Sequence, residues 1–420
     1  MDTTINTNEE VVINTEFERL KNKRWLLTIL GTIVMFSIGI CYAWSILNRP
    51  MNAELGFKVS DLAVAFTIFS VVNSIFGILS GYIIRWMKGR VFLNLIISSA
   101  FLFLSFFISS LADNLALIYI GFGVFGGIGV TFAYNSCLTV ASRWFKDHIG
   151  VVNGLFLMGY GLGSFLIGKV YSAFISNGSN WRDVFLYFGI YLAILLIISS
   201  LLLRVPPKDY QTPPPKPKIR KQPIEAIECT PLELLKRKSF YYLFFMGLFM
   251  MLVSMSIISN ASYIVTEVSP LTTEANIATI VGLISIFNAL GRILIGFIND
   301  YLGVRYNIVI STSFQVFAIF LLGFAVMSGS LAFLIICFIL FGIGAGMTAT
   351  LGANVTLLFF GQKHYQVNIQ IVMLVGGLGS LGAMLMGFLY DSMGTFVWPI
   401  FIIGAMGVLG LVSALLLKRP

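Results

Sequence analysis

The chain has 420 residues, of which 58% are hydrophobic and 11% are charged, and its 27 Lys and Arg exceed its 18 Asp and Glu to give a net charge of +9. A chain this apolar cannot present the charged, water-facing surface of a soluble protein. The composition therefore excludes an ordinary soluble protein and indicates one that lies in a membrane.

Twelve apolar stretches are long enough to cross the hydrocarbon of a bilayer, for which a helix needs about 20 residues. Spans 1 to 12 are predicted at 25–47, 62–84, 91–110, 115–142, 149–174, 184–203, 240–266, 276–298, 307–328, 331–360, 366–389 and 396–417. The first 24 residues are polar and lead straight into span 1, so we expect an N-terminal tail without a cleavable signal peptide.

The distribution of basic residues predicts the orientation. All but five of the 27 Lys and Arg fall in cytoplasmic segments if both termini are cytoplasmic; Arg49, Lys58 and Arg182 lie outside, and Lys169 and Arg292 lie within spans. This bias follows the positive-inside rule. We therefore expect a multi-pass protein of the cell membrane, which is the inner membrane if the source is bacterial. The positive charge is then an orientation signal and a contact for membrane lipid, and we expect no nucleic-acid partner.

A Pro- and Lys-rich segment divides the spans into two sets of six. It predicts a semi-stiff tether on the cytoplasmic face. The predicted organisation is an N-terminal tail (1–24), an N-terminal six-helix bundle (25–203), the linker (204–238), a C-terminal six-helix bundle (239–417) and a C-terminal tail (418–420).

The two sets of spans are copies of each other. Asn73–Arg90 and Asn288–Arg305 repeat one pattern, residues 122–135 match 341–354, and the sequence GLGS recurs at 161 and 377. Two parallel six-helix halves form the architecture of the major facilitator group of secondary transporters. We therefore predict an all-α membrane protein with twelve transmembrane helices in two pseudo-repeat bundles, both termini cytoplasmic, and a site near mid-membrane between the halves.

The two copies differ most at one position, where Gly77 of the first corresponds to Arg292 of the second. A charge this deep in a span costs roughly 3 kcal/mol or more. Such an arginine fits a substrate anchor, because a guanidinium offers two parallel donors to a carboxylate. The alternative is an arginine that extends to the membrane interface. Asn288 lies one turn before it and could orient the guanidinium or bind a ligand.

Three tyrosines, Tyr42, Tyr134 and Tyr160, are candidate walls of the same cavity, although tyrosines are also ordinary core residues. No Asp or Glu falls in the middle of a span, so the nearest candidate proton carriers are Glu267 and Asp61 at span ends.

The sequence offers no nucleotide-binding loop and no pair of a nucleophile and a base, and its four cysteines form no CxxC pair. We expect no enzymatic activity, cofactor, metal or disulfide.

Three segments resemble one family within the major facilitator group, the oxalate:formate antiporter family, which is itself similar to the monocarboxylate transporters. They are CYAWSILNRP in span 1, RWFKDHIGVVNGLFLMGYGLGS across spans 4 and 5, and NALGRILIGFIND in span 8. The resemblance implies that Arg292 is the substrate arginine, that Asn288 is its companion, and that Tyr42, Tyr134 and Tyr160 line the site.

The loops after spans 2 and 8 resemble the loop signature of the wider group, which has an acidic residue followed by glycine and basic residues. The second copy carries Asp300 and Gly303. In the first copy Arg85 replaces the acid and the later glycine is shifted by one position. The missing acid argues against a salt-bridge latch on the N-terminal half.

The chain departs from the antiporter family in span 11, where a second cation is expected and Val375 and Gly376 occur instead. A second carboxylate left unpaired in a low dielectric would cost several kcal/mol. We therefore predict a monomeric secondary active transporter of a small monovalent organic anion such as lactate, formate or pyruvate. Transport would proceed by alternating access, as antiporter or proton symporter. The alternatives are an exporter of another small molecule and a non-transporting receptor or scaffold.

Overall fold

The structure is a computed structural model that describes residues 24–39, 43–88, 90–145, 149–206, 227–361 and 363–419. Eleven helices in these ranges are long and apolar enough to cross a membrane, and the shorter apolar helix Arg24–Ile38 begins span 1. The all-helical membrane architecture is confirmed. The twelfth span stays a prediction, because residues 40–42 in the middle of span 1 lie outside the described part.

The helices follow the predicted spans closely, with ends that extend beyond the apolar stretches. After Arg24–Ile38, span 1 continues as Trp44–Leu47 and Arg49–Leu55. Spans 2 to 6 are Val59–Trp86, Phe92–Ser110, Leu115–Trp144, Ile149–Ser176 and Trp181–Leu202. Spans 7 to 10 are Lys238–Val268, Glu274–Leu302, Val304–Ser328 and Leu331–Phe360; span 11 is Tyr365–Gly379 followed by Leu381–Met393, and span 12 is Val397–Leu416.

Two spans depart from regular α-helix. Span 4 contains a π-helical segment, Tyr119–Gly126, whose Phe122 ring stacks on Trp44 with centroids 3.6 Å apart. Span 11 is interrupted at Ser380. Both departures lie on helices that pack near the middle of the molecule, where such irregularities often accompany function.

The described part of the linker ends on the C-terminal half. Pro231–Lys236 forms a short helix that Thr230 and Glu233 cap reciprocally. Just before it, the Cys229 N–H donates to the Phe360 carbonyl over 3.2 Å and the Asn368 Nδ2 donates to the Cys229 carbonyl over 3.0 Å. Residues 207–226, which carry most of the predicted tether, lie outside the described residues.

The molecule has two ends, which we name by the linker. The linker end holds the start of spans 1 and 7 and the end of spans 6 and 12; the far end holds the opposite ends of these spans. Spans 2 and 4 pack together in the first half as spans 8 and 10 do in the second, in agreement with the sequence repeat. The halves meet where span 5 packs on span 8 and span 2 packs on span 11.

These seams between the halves are closed toward the far end. Arg49 pairs with Glu274 at 3.1 Å, the Ser60 N–H donates to Asp391 over 3.1 Å, and the Lys169 Nζ donates to the Ala275 carbonyl over 3.0 Å. The two halves are therefore joined at the far end.

Candidate functional site

Arg292 and Asn288 form a hydrogen-bonded pair on one face of span 8. The Arg292 Nε donates to the Asn288 Oδ1 over 3.1 Å, at the four-residue spacing that brings helical side chains together. Asn288 is only 2% exposed and Arg292 is partly buried. Since a guanidinium can only donate, the amide oxygen must face it and the NH2 group of Asn288 is left to donate elsewhere. The pair is therefore rich in hydrogen-bond donors, which are the NH2 group of Asn288 and the N–H groups of the guanidinium.

The charge of this pair is expensive to place in a membrane. Arg292 lies about two-thirds of the way along the 29-residue helix Glu274–Leu302, where a charge costs roughly 3 kcal/mol or more. The hydrogen bond to Asn288 holds the guanidinium toward the middle of span 8, because helical side chains lean toward the N-terminus of their own helix. The guanidinium therefore points away from the linker end. An arginine that extends to the nearer membrane interface would point toward the linker end instead.

Glycines fix the backbone that carries the pair. Gly346 of span 10 lies so close to the Asn288 carbonyl that a Cβ could not be accommodated, and Gly291 meets the Ile343 carbonyl in the same way. Gly342 makes a third close approach, at Ile284 one turn earlier. Span 10 thus holds span 8 rigidly on both sides of Asn288, which limits how far Arg292 can shift.

One turn toward the far end, the two halves meet directly. The Ser164 Oγ of span 5 and the Ser285 Oγ of span 8 lie 2.6 Å apart, and both residues are buried. Ser285 precedes Asn288 by three residues, and Ser164 follows Tyr160 by four, so each serine shares a helix face with a predicted site residue. The serine pair therefore joins the halves on the far-end side of Asn288.

The structure brings two of the three predicted tyrosines together. The rings of Tyr134 and Tyr160 pack edge to face with centroids 5.4 Å apart, and both side chains are partly buried against the core. Through Ser164, Tyr160 lies across the seam from the face of span 8 that bears Asn288. Tyr42 lies outside the described residues, so its predicted place in the site stays a prediction.

The position that corresponds to Arg292 in the first half packs closely against span 4. The Asn135 Nδ2 donates to the Gly77 carbonyl over 3.0 Å, and a Cβ on Gly77 would lie 3.2 Å from the Thr131 Oγ1. Span 4 therefore covers the position that span 8 fills with a cation. The same position of the repeat is therefore a packing contact at Gly77 in the first half and a charge at Arg292 in the second.

Span 11 carries no cation where the antiporter family is expected to have one. Val375 is 5% exposed and packs on span 7 at Gly247. Gly376 and Gly377 face Ser74 of span 2 across the other seam. A Cβ added at Gly377 would lie 3.0 Å from the Ser74 Oγ. This part of span 11 serves to join the halves, as expected from its small residues.

The acids and the second embedded cation named from the sequence have structural partners. Glu267 accepts hydrogen bonds from the Phe396 N–H, at 2.8 Å, and from Thr395, and so caps span 12. Asp61 accepts the Lys58 N–H at the start of span 2. Lys169 donates from its Nζ to the Ala275 carbonyl at the far end of the seam. This bond depends on contact between the halves.

Sequence reasoning missed the residues that close the seams. Besides the serine pair, the Thr67 Oγ1 donates to the Ser380 carbonyl over 2.9 Å between spans 2 and 11. Ser164 and Ser380 are the serines of the two GLGS repeats. The repeat was therefore the signal: each copy puts a glycine and a serine against the opposite half.

Comparison with known proteins agrees with the fold. The family model for the Major Facilitator Superfamily matches residues 25–270 and 243–420. A bacterial homologue of the human lysosomal transporter Spinster, solved in an inward-facing and occupied conformation, superposes with a TM-score of 0.71 at 15% identity over 94% of this chain and 96% of that one.

Three relatives connect the sequence to transporters. An uncharacterized MFS-type transporter of Escherichia coli, YhjX, is 26% identical over 85% of this chain and 86% of its own length. The oxalate:formate antiporter of Oxalobacter formigenes is 26% identical over 44% of each chain. Human monocarboxylate transporter 6 is 32% identical over 26% of this chain and 22% of its own. With its family model matched along nearly the whole chain, this protein belongs to the Major Facilitator Superfamily of membrane transporters.

Proposed function

We propose that the protein is a secondary active transporter of a small monovalent organic anion, a monocarboxylate such as lactate, formate or pyruvate, and that Arg292 is the counter-charge for the carboxylate. The observation that carries the proposal is the Arg292–Asn288 pair, a partly buried, cationic pair of side chains that is rich in hydrogen-bond donors. A carboxylate offers only acceptors and one negative charge. The carboxylate and the Arg292–Asn288 pair are therefore complementary in charge and in hydrogen bonding.

The charge balance of the site favours a monoanion over a dianion. Span 11 has Val375 and Gly376 in place of a second cation, and the seam uses that segment for packing. Lys169 is engaged at the far end of the seam. A second carboxylate bound near Arg292 would lack a partner, and an uncompensated charge in such surroundings costs several kcal/mol.

The arrangement of the seams supports alternating access. With both termini in the cytoplasm, as we propose from the charge pattern, the linker end faces the cytoplasm and the ion pair and hydrogen bonds that join the halves lie toward the opposite side. Hydrogen bonds between membrane helices contribute only about 0.6 kcal/mol each on average, so the Ser164–Ser285 and Thr67–Ser380 contacts can break without a large barrier. The anion would bind at Arg292 and so favour closure of the halves around it.

Anion exchange and proton symport both remain within this proposal. The acids at the ends of spans 2 and 7 cap helices. A receptor or scaffold role would depend on linker residues 207–226, which lie outside the described residues, and no observed contact favours it.

Uptake into proteoliposomes tests the proposal. Vesicles loaded with unlabelled lactate are diluted into labelled lactate, formate or oxalate, and the time course of label uptake is compared with that of protein-free vesicles. We expect saturable uptake of the monocarboxylates and little uptake of oxalate. Oxalate uptake equal to that of lactate would overturn the assignment to monoanions. The experiment is then repeated with an imposed pH gradient and vesicles that contain no internal anion. Uptake under these conditions indicates proton symport, whereas a strict exchanger shows none.

A further inference from the structure

The loop between spans 2 and 3 gathers basic side chains at the linker end of the first half. Arg85, Lys88 and Arg90 are all exposed, and so is Arg143 at the end of span 4. The Arg143 guanidinium donates to the Lys88 carbonyl over 3.1 Å, which ties the two segments together. Four cations thus share one small surface.

The backbone of this loop is strained at a lysine. Lys88 has a φ of 53°, and it is the only described residue other than glycine with a positive φ. Its counterpart in the second copy, 215 positions later, is Gly303, with a φ of 84°. A left-handed lysine costs about 1 kcal/mol or more where glycine would be relaxed. The first copy therefore retains a charged side chain at a position where the backbone favours glycine.

The loop cations have no acidic partner in the part of the chain that the structure describes. Among the described residues, no carboxylate lies within ion-pair distance of these four cations, and Arg85 itself stands where the family signature has an acid. The second copy differs again, because Arg305, the counterpart of Arg90, donates to the Ala414, Leu415 and Leu417 carbonyls and caps span 12. Within the described residues, the cations of the first copy therefore carry no ion pair, whereas Arg305 is engaged with the end of span 12.

An apolar column on span 2 leads directly to this loop. Ile75, Leu79, Tyr82 and Trp86 are 55%, 47%, 72% and 74% exposed and follow one another at helical spacing. The neighbours of span 2 contact other faces of the helix: span 4 at Gly77, span 3 at Ser80 and span 11 at Ser74. The column therefore faces the lipid, with Tyr82 and Trp86 at the depth where aromatic residues meet the headgroups.

We propose that the loop surface formed by Arg85, Lys88, Arg90 and Arg143 binds the headgroup of an anionic phospholipid whose acyl chain lies along the column from Trp86 to Ile75. The cations match the phosphate, and the exposed aromatic and aliphatic side chains match the glycerol and acyl regions. The apolar column is the reason that the occupant is a lipid rather than free phosphate. Each cation near a membrane surface contributes roughly fivefold to the affinity for anionic lipid.

Native mass spectrometry of the purified protein tests the site. Protein in micelles that contain phosphatidylglycerol and phosphatidylcholine with identical acyl chains is released in the spectrometer, and the retained lipids are identified and counted. The triple variant Arg85→Gln, Lys88→Gln, Arg90→Gln is compared with a control at the same end of the second half, Lys236→Gln, Lys363→Gln, Lys418→Gln, whose side chains are also exposed. We expect preferential retention of phosphatidylglycerol, weakened about 100-fold in the first triple variant and little changed in the control.

Two results would overturn the proposal. One is equal loss in both triple variants, which would mean that net charge alone retains the lipid. The other is displacement of phosphatidylglycerol by glycerol 3-phosphate at concentrations comparable to those of the lipid, which would assign the site to a soluble phosphate.

A single variant separates binding from structure. Lys88→Gly removes one cation and relaxes the left-handed backbone, so it should retain less phosphatidylglycerol while its melting temperature stays the same or rises. A lower melting temperature with unchanged lipid retention would show that Lys88 has a structural role only, contrary to the proposal.

Discussion

Ser164 and Ser285 meet hydroxyl to hydroxyl across the two halves, 2.6 Å apart, one turn beyond the Asn288–Arg292 pair. The contact joins the halves between Asn288 and the far end. If the protein transports by alternating access, as we propose, this contact breaks in each cycle. The relation leads to a direct test by cross-linking.

A disulfide between Ser164→Cys and Ser285→Cys should stop transport. The short distance between the two oxygens places the side chains within reach of disulfide geometry. In a background without the native cysteines, we expect oxidation to abolish uptake and a reductant to restore it. The single variant Ser164→Cys under the same oxidant is the control. A quantitatively cross-linked protein that still transports would show that this seam does not open.

Replacing Asn288 by aspartate distinguishes a functional from a structural pair. Asn288→Asp retains an oxygen acceptor for the Arg292 Nε but adds a negative charge that neutralises the guanidinium. We expect normal folding and loss of anion binding and uptake. Asn288→Ala, which leaves the charge but not its orientation, should raise KM for the anion about tenfold.

The opposite pattern would contradict the anion site. If Arg292 were only a structural charge, the aspartate variant would form a stronger ion pair and keep its transport activity. Measuring KM and maximal rate for both variants at equal protein density in the vesicles decides between these outcomes.

Close packing of spans 8 and 10 predicts a sharp difference between two glycine substitutions. Gly346→Ala places a Cβ against the Asn288 carbonyl, which belongs to backbone and cannot rotate away. We expect it to destabilise the protein by about 1–3 kcal/mol. Gly154→Ala is the control, because no atom lies within 4 Å of its Cβ. Thermal unfolding in detergent measures both, and equal melting temperatures would contradict the close approach.

The thiol of Cys229 reports on the docking of the linker. Cys229 is buried, and burial raises the pKa of its thiol above the ordinary value. A raised pKa leaves less thiolate near neutral pH, so maleimide labelling should be slow and should accelerate as pH rises. Asn368→Ala removes the hydrogen bond to the Cys229 carbonyl and should increase the rate.

This labelling is measured in a variant whose other three cysteines are replaced by serine or alanine. Rapid labelling of the otherwise unchanged protein, equal to that after denaturation, would show that the segment is not docked.

The geometry of one part of the candidate site could be predicted because Asn288 and Arg292 lie on the same helix. The four-residue spacing of Asn288 and Arg292 puts them on one face whatever the rest of the molecule does, and the hydrogen bond follows. The spans could be predicted for a similar reason, because the length of an apolar stretch is a property of the local sequence. Tyr134 and Tyr160 are on different spans, and their contact depends on how span 4 packs on span 5.

The seams could not be predicted, because contacts between the halves leave little trace in apolar periodicity. Ser164 and Ser380 are small, neutral residues that suit any helix interface, and only their place in the repeated GLGS indicated a shared role. The left-handed conformation of Lys88 could not be predicted either. The glycine of the first loop is residue 89, so there was no reason in the sequence to expect a positive φ at residue 88, the position that corresponds to Gly303.

The most direct test of the account is lactate counterflow by variants of Arg292. Arg292→Gln removes the charge, Arg292→Lys keeps the charge without the paired donors, and Lys236→Gln removes an exposed cation far from the site. We predict no uptake by the glutamine variant, strongly reduced uptake by the lysine variant and full uptake by the Lys236 control, with all three folded. Undiminished lactate uptake by Arg292→Gln would contradict the claim that this arginine binds the carboxylate.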